Sequence, residues 1–80
     1  MPTVARIGPY RFYFFSNEGD EPVHIHVQRD RQLAKFWLRP VSLVSSTGFP
    51  AQELRRIEQI VVSNQAAFEE AWDAFFRAQH

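Results

Sequence analysis

Residues 22–38, PVHIHVQRDRQLAKFWL, contain two alternating runs around a short polar turn. Alternation of apolar and polar residues is typical of a half-buried strand. With the turn centred on Asp30-Arg31, an antiparallel pairing places Val23, Ile25 and Val27 opposite Leu38, Phe36 and Ala34. The other face pairs His24, His26 and Gln28 with Trp37, Lys35 and Leu33. A slip of one residue would mix the apolar and polar faces, so the pattern predicts this hairpin register.

The flanking segments predict an α+β fold in a single domain, residues 1–80. YRFYFF, residues 10–15, is an aromatic run after Gly8-Pro9 and is typical of a strand. We expect Phe12 and Phe14 to face the core. The prediction is a three- to four-stranded antiparallel meander, about 6–15, 22–29, 32–39 and 41–44, followed by helices at about 51–63 and 65–78.

The second half of the chain has helical periodicity. Its apolar stripe contains Leu54, Ile57, Val61, Phe68, Trp72 and Phe75. Ser63-Asn64 is expected to end one helix and cap the next, and Phe76 falls outside the stripe. We therefore expect both helices to pack on the apolar face of the sheet.

Composition excludes several classes of protein. The chain has no cysteine, so neither disulfides nor a thiolate zinc site are available. Its nine basic and nine acidic residues give a formal net charge of zero, which argues against extensive nucleic-acid binding. No apolar run approaches a membrane span of about 18 residues, and there is no signal-like N-terminus. These features predict a cytoplasmic protein that does not bind membranes.

Two helices are enough to cover one side of such a sheet, and the other side is expected to stay uncovered. The residues predicted to share that side are Arg11, Tyr13, His24, His26, Lys35 and Trp37. A contiguous exposed apolar patch usually marks a binding interface. The pattern thus predicts a surface that binds a partner protein or a second copy of the chain. Nucleic acid is a further option, because Trp37, Tyr13 and the arginines could stack bases.

The histidine pair allows three interpretations. Side chains two residues apart on a strand lie on one face, about 7 Å apart, so His24 and His26 could share a Zn or Ni ion. The third ligand would come from Glu18, Asp20 or Glu21, with His80 as a remote option. The same histidines could instead act as general acid and base. The structural alternative is two hydrogen-bonded histidines beside Trp37.

The order of the segments resembles a small bacterial family, domain of unknown function 4160. The segments that carry this resemblance are RFYFF, PVHIHV, AKFWL, RPVSL, TGFPAQEL and AWDAFF, between about residues 7 and 77. Pro50 departs from the capping residue expected before the helix. By position, His24 and His26 match the histidine pair of the family, for which the resemblance implies no established role.

Genes of this family often lie beside those of domain of unknown function 2442, an arrangement similar to a toxin–antitoxin module. The resemblance therefore implies a small partner protein. Our leading prediction is a protein-interaction module in such a pair, acting through the His24, His26 and Trp37 face. The alternative is an enzyme, either ribonuclease-like or a metal-dependent hydrolase, with His24 and His26 as its catalytic residues.

Overall fold

The computed structural model describes residues 3–77, which form an antiparallel sheet followed by two helices. The strands are β1 (Thr3–Ile7), β2 (Tyr10–Tyr13), β3 (His24–Arg29), β4 (Gln32–Leu38) and β5 (Val41–Thr47), and the helices are α1 (Ala51–Ser63) and α2 (Gln65–Arg77). The strand order in the sheet is the order in the chain. The predicted α+β meander with two C-terminal helices is confirmed, with more strands than expected.

The predicted first strand, 6–15, is wrong in its bounds, because Gly8-Pro9 reverses the chain. Ile7 pairs with Tyr10 across this two-residue turn. Gly8 has a φ of 57°, which a residue without Cβ adopts at little cost. The chain therefore forms two antiparallel strands, and β1 becomes one edge of the sheet. At the other edge, β5 continues to Thr47 rather than ending at 44.

The central hairpin has the predicted register. His24 pairs with Trp37 and Ile25 with Phe36, and the pairing continues to Arg29 and Gln32. Asp30, in the turn, adopts a φ of 55°, which Asp tolerates better than most residues. One face of the hairpin is therefore apolar over Ile25, Val27, Ala34, Phe36 and Leu38, as the alternation predicted, with Arg29 and Gln32 on that face beside the turn.

The helices pack on this apolar face, called here the inner face. The buried core combines inner-face residues with helix residues: Tyr10, Phe12, Phe14, Ile25, Val27, Ala34, Phe36, Leu38, Phe49, Ile57, Val61, Phe68, Trp72 and Phe76. Asn64 separates the helices, and its side-chain amide donates to the Ile60 carbonyl at 2.8 Å. Within residues 3–77, no helix is long and apolar enough to cross a membrane.

One prediction about α2 is wrong: Phe76 is buried, whereas Phe75 is only partly buried. The predicted stripe excluded position 76, but residues three and four positions after Trp72 both lie close to its side of the helix, so packing decides between them. Phe76 lies against Trp72, with ring centroids 4.3 Å apart. Its ring also approaches Gly19, where a side chain would collide with it. A loop glycine therefore makes room for Phe76 in the core.

Ionic contacts join α1 to the sheet. The Tyr10 hydroxyl donates to Glu53 at 2.8 Å, and Arg29 donates to the same carboxylate oxygen at 2.9 Å. Burial and the nearby Glu53 carboxylate raise the pKa of Tyr10. These bonds lie at the end of the sheet away from the histidine pair.

Candidate metal centre and outer face

The face of the sheet opposite the helices, called here the outer face, is partly closed by the loop between β2 and β3, residues 14–23. Two backbone hydrogen bonds shape this loop, from Glu18 to Phe15 (3.2 Å) and from Glu21 to Glu18 (3.1 Å). They turn the chain back over the sheet. The turn brings the Glu18 carboxylate to the start of β3, where both histidines lie.

Glu18 joins the two histidines into one cluster. Its Oε1 lies 2.9 Å from Nε2 of His24 and 3.0 Å from Nε2 of His26. Its Oε2 lies 3.1 Å from the same His26 nitrogen. The backbone N–H of Phe15 donates to Oε1 at 2.9 Å. The polar atoms of Glu18, His24 and His26 therefore converge, and these three residues are called here the Glu18 cluster.

His24 has an acceptor at each ring nitrogen. Nδ1 lies 2.9 Å from the carbonyl oxygen of Pro22, which can only accept, so Nδ1 must carry a proton. Nε2 faces the Glu18 carboxylate. The side chain has 0% exposure, because the rings of Trp72 and Trp37 lie beside it, with centroids 4.8 and 5.9 Å away.

His26 lies nearer to solvent and is held between aromatic rings. Tyr13 stacks on it, with centroids 5.2 Å apart and an interplanar angle of 17°. Phe15 meets it edge to face at 4.9 Å. These contacts settle the face of β2, because Tyr13 pairs with His26 and Arg11 with Gln28. Tyr13 and Arg11 therefore lie on the histidine side, a placement that the sequence left open.

Burial and hydrogen bonding set the charge of the cluster. Burial lowers the pKa of His26, and the neighbouring Glu18 offsets only part of that effect. Burial alone would raise the pKa of Glu18, but the Phe15 N–H and the two histidines outweigh it and lower that pKa. Near neutral pH the cluster therefore contains a carboxylate and, at His26, a neutral imidazole.

The expectation that this whole side of the sheet is uncovered is wrong for two of its residues. His24 and Tyr13 are buried, because loop 14–23 and α2 close over the start of β3. The other predicted residues, Arg11, His26, Lys35 and Trp37, are half-buried. Arg11 lies 4.5 Å from the centre of the Tyr13 ring, and Lys35 lies 4.9 Å from that of Trp37. The structure thus brings all six together, but not as one exposed patch.

Of the three acidic candidates for a third ligand, only Glu18 reaches the histidines. Glu21 instead pairs with Lys35 at 2.7 Å. The ligand atoms of Glu18, His24 and His26 all lie within 4.8 Å of one another, close enough to hold a metal ion. His80 lies outside the described residues.

A cavity of about 280 Å³ opens on the outer face beside His26. Its lining contains Tyr13, Phe15, His26, Leu33, Ala34, Lys35, Ser45, Ser46 and Thr47. Phe15 and Leu33 were not predicted as site residues, although the hairpin register already placed Leu33 opposite Gln28 on this face. A second cavity, of about 430 Å³, lies along α2 among Glu69, Glu70 and Asp73, away from the Glu18 cluster.

The family model described as Domain of unknown function (DUF4160) matches residues 10–73. The chain belongs to this family. The matched segment runs from β2 into α2 and includes the whole Glu18 cluster, so the DUF4160 resemblance of the sequence is confirmed. No curated protein matches the chain, and no solved structure matches it.

Proposed function

We propose that this protein is a protein-interaction module, one component of a toxin–antitoxin-like pair, which binds an acidic segment of a small partner protein on its outer face. The observation that supports this proposal is the distribution of charged residues in the sheet. Within the described residues, the strands contain no Asp or Glu. Three of their cations, Arg6, Arg11 and Lys35, lie on the outer face by register.

Apolar side chains beside these cations supply the second part of the argument. Phe15 and Leu33 are 38% and 41% exposed, and both line the cavity beside His26. Exposed apolar groups with charges at their rim are typical of protein interfaces. The arrangement suits a segment that places an apolar side chain in the cavity and a carboxylate near Lys35, where it would compete with Glu21 for the ammonium group.

The occupant is proposed as a separate acidic protein because opposite charge steers association and excludes other partners. A small protein encoded by a neighbouring gene, as in the related DUF4160 arrangement, is the first candidate. A second copy is the competing outcome, since α2 carries Glu69, Glu70 and Asp73 beside the other cavity.

The test is a calorimetric titration of the purified chain with the product of the adjacent gene, with Leu33→Ala and Lys35→Glu as variants. Complete burial of a Leu side chain contributes about 1.5–3 kcal/mol. Because 41% of Leu33 is exposed, its truncation should cost about 0.6–1.2 kcal/mol, a loss of about 3–8-fold in affinity. Lys35→Glu should weaken binding further at low salt, since it reverses a charge on the face that the partner contacts.

The chain offers matched controls. Leu43 is 42% exposed but lies on the inner side of β5, opposite Phe36, and Arg55 lies exposed on α1. Leu43→Ala and Arg55→Glu should keep the wild-type affinity. Equal losses in both sets of variants, or self-association without binding of the partner, would overturn the proposal.

A histidine-dependent hydrolase is the second candidate. The observation in its favour is that His26 lines the cavity beside Glu18, whereas buried His24 has no access to a substrate. Turnover of an RNA or ester substrate that His26→Gln abolishes, with unchanged partner affinity, would favour this candidate over the module.

A further inference from the structure

Both ring nitrogens of His24 face oxygen atoms that accept hydrogen bonds. Pro22 takes the Nδ1 proton, so a neutral His24 would direct the lone pair of Nε2 at the Glu18 carboxylate, 2.9 Å away. Two acceptors at that distance repel each other. A cation bound between Nε2 and the Glu18 oxygen would remove this repulsion. Because the side chain is fully buried, water cannot relieve the repulsion.

We propose that Glu18, His24 and His26 form a binding site for one Zn²⁺ ion, with both Nε2 atoms and a Glu18 oxygen as ligands. Zinc would lie between the Nε2 atom of His24 and the Glu18 carboxylate, which are 2.9 Å apart. This site goes beyond the proposed partner binding and does not depend on it.

The donor set and its spacing suit zinc. Two imidazoles and one carboxylate are the protein ligands of many zinc centres that keep a fourth position open. With Zn–ligand bonds of about 2.0–2.1 Å, tetrahedral ligands lie about 3.3 Å apart. The Glu18 oxygens lie 2.9–3.1 Å from the two nitrogens. All three ligand atoms lie within 4.8 Å of one another, so the two histidine nitrogens would need to approach by at most about 1.5 Å to reach tetrahedral spacing.

The surroundings already hold the ligands in place. A metal-bound histidine usually donates its other ring N–H to a carbonyl or carboxylate, which fixes the tautomer and the ring orientation. His24 makes this contact with Pro22 at 2.9 Å. Tyr13 and Phe15 pack on the His26 ring, and the Phe15 N–H bonds to Glu18. The site therefore requires little ordering when the ion binds.

The experiment is calorimetric titration of the untagged protein with ZnCl₂. We expect saturable binding of one ion per chain. Second-shell changes typically weaken metal binding by about 10–100-fold, so Glu18→Gln and His26→Gln, which remove direct ligands, should lose at least tenfold. Circular dichroism verifies that each variant is folded.

The matched control is Glu21→Gln, which removes the same charge from the same loop but from a residue bound to Lys35. This variant and His80→Gln should keep full affinity. Absence of saturable zinc binding by the wild type would overturn the proposal. Unchanged zinc affinity in both Glu18→Gln and His26→Gln would also overturn it. Loss of zinc affinity in His80→Gln would do the same.

A second readout needs no variant. The rings of Trp37 and Trp72 lie against His24, so Co²⁺ bound at Nε2 should quench tryptophan fluorescence. Excess Zn²⁺ should restore the emission, because zinc outcompetes cobalt at such sites. Emission insensitive to Co²⁺ at concentrations that saturate the calorimetric signal would place the ion elsewhere and overturn the proposal.

Discussion

Gly19→Ala tests whether the packing of loop 14–23 on α2 stabilises the fold. A Cβ at position 19 would lie 2.7 Å from Cδ1 of Phe76, and ordinary contacts begin at 3.4 Å. One side must therefore move by about 0.7 Å, the difference between these distances. The Phe76 ring cannot swing away, because it packs between Phe14 and Trp72. Overpacking of this kind costs about 1–3 kcal/mol.

Urea unfolding measures this cost. For a slope of about 1 kcal/mol per molar urea, the midpoint should fall by about 1–3 M. A double-mutant cycle with Phe76→Leu identifies the cause, since a smaller side chain relieves the clash and the two changes should be non-additive by at least about 0.5 kcal/mol.

Gly8→Ala is the control for this cycle. Gly8 has a φ of +57° with nothing within 4 Å of the added Cβ, so alanine there should cost about 1–2 kcal/mol through backbone strain. That cost should add independently to the effect of Phe76→Leu. A Gly19→Ala protein within about 0.5 kcal/mol of wild type, or strict additivity with Phe76→Leu, would refute the reasoning.

Three other predictions concern stability. In metal-free buffer, the free energy of unfolding should fall as pH drops below 6.5, because folding lowers the pKa of His26. It should fall again below pH 4.5, because folding also lowers the pKa of Glu18. In pH-dependent unfolding, His26→Gln should flatten the first part of this profile, and an unchanged profile would contradict the prediction. Tyr10→Phe should cost about 1 kcal/mol in urea unfolding, since the hydroxyl bonds to Glu53; a neutral effect would mean that this bond adds nothing to stability. Phe68→Ala should cost about 3–5 kcal/mol, because the ring is 2% exposed; a loss below 1 kcal/mol by the same assay would contradict its place in the core.

The central hairpin was predictable because its information is local and periodic. Alternation over 23–38 fixes which residues share a face, and a shift of one position would spoil both faces. The strand 6–15 was mispredicted for a related reason: a Gly-Pro pair between apolar runs is compatible with a break or with a full reversal. Only the pairing of Ile7 with Tyr10 distinguishes them.

The closure of the outer face was not predictable, because loop 14–23 has no periodicity. Glu18, Asp20 and Glu21 were equivalent in sequence, and the backbone turn at Phe15 selects Glu18. The choice of Phe76 over Phe75 likewise depends on Gly19, more than fifty residues away in the chain. The position of Glu18 therefore depends on a local turn without a periodic pattern, and that of Phe76 on a contact between distant segments.

The proposal that the two histidines and Glu18 form one metal centre has a direct structural test. Anomalous diffraction at the zinc edge, from crystals grown with Zn²⁺, tests it most directly. We predict a single strong peak about 2.0–2.1 Å from both Nε2 atoms and from a Glu18 oxygen. A structure without a peak there, with Glu18 still bound to both rings, would contradict the claim.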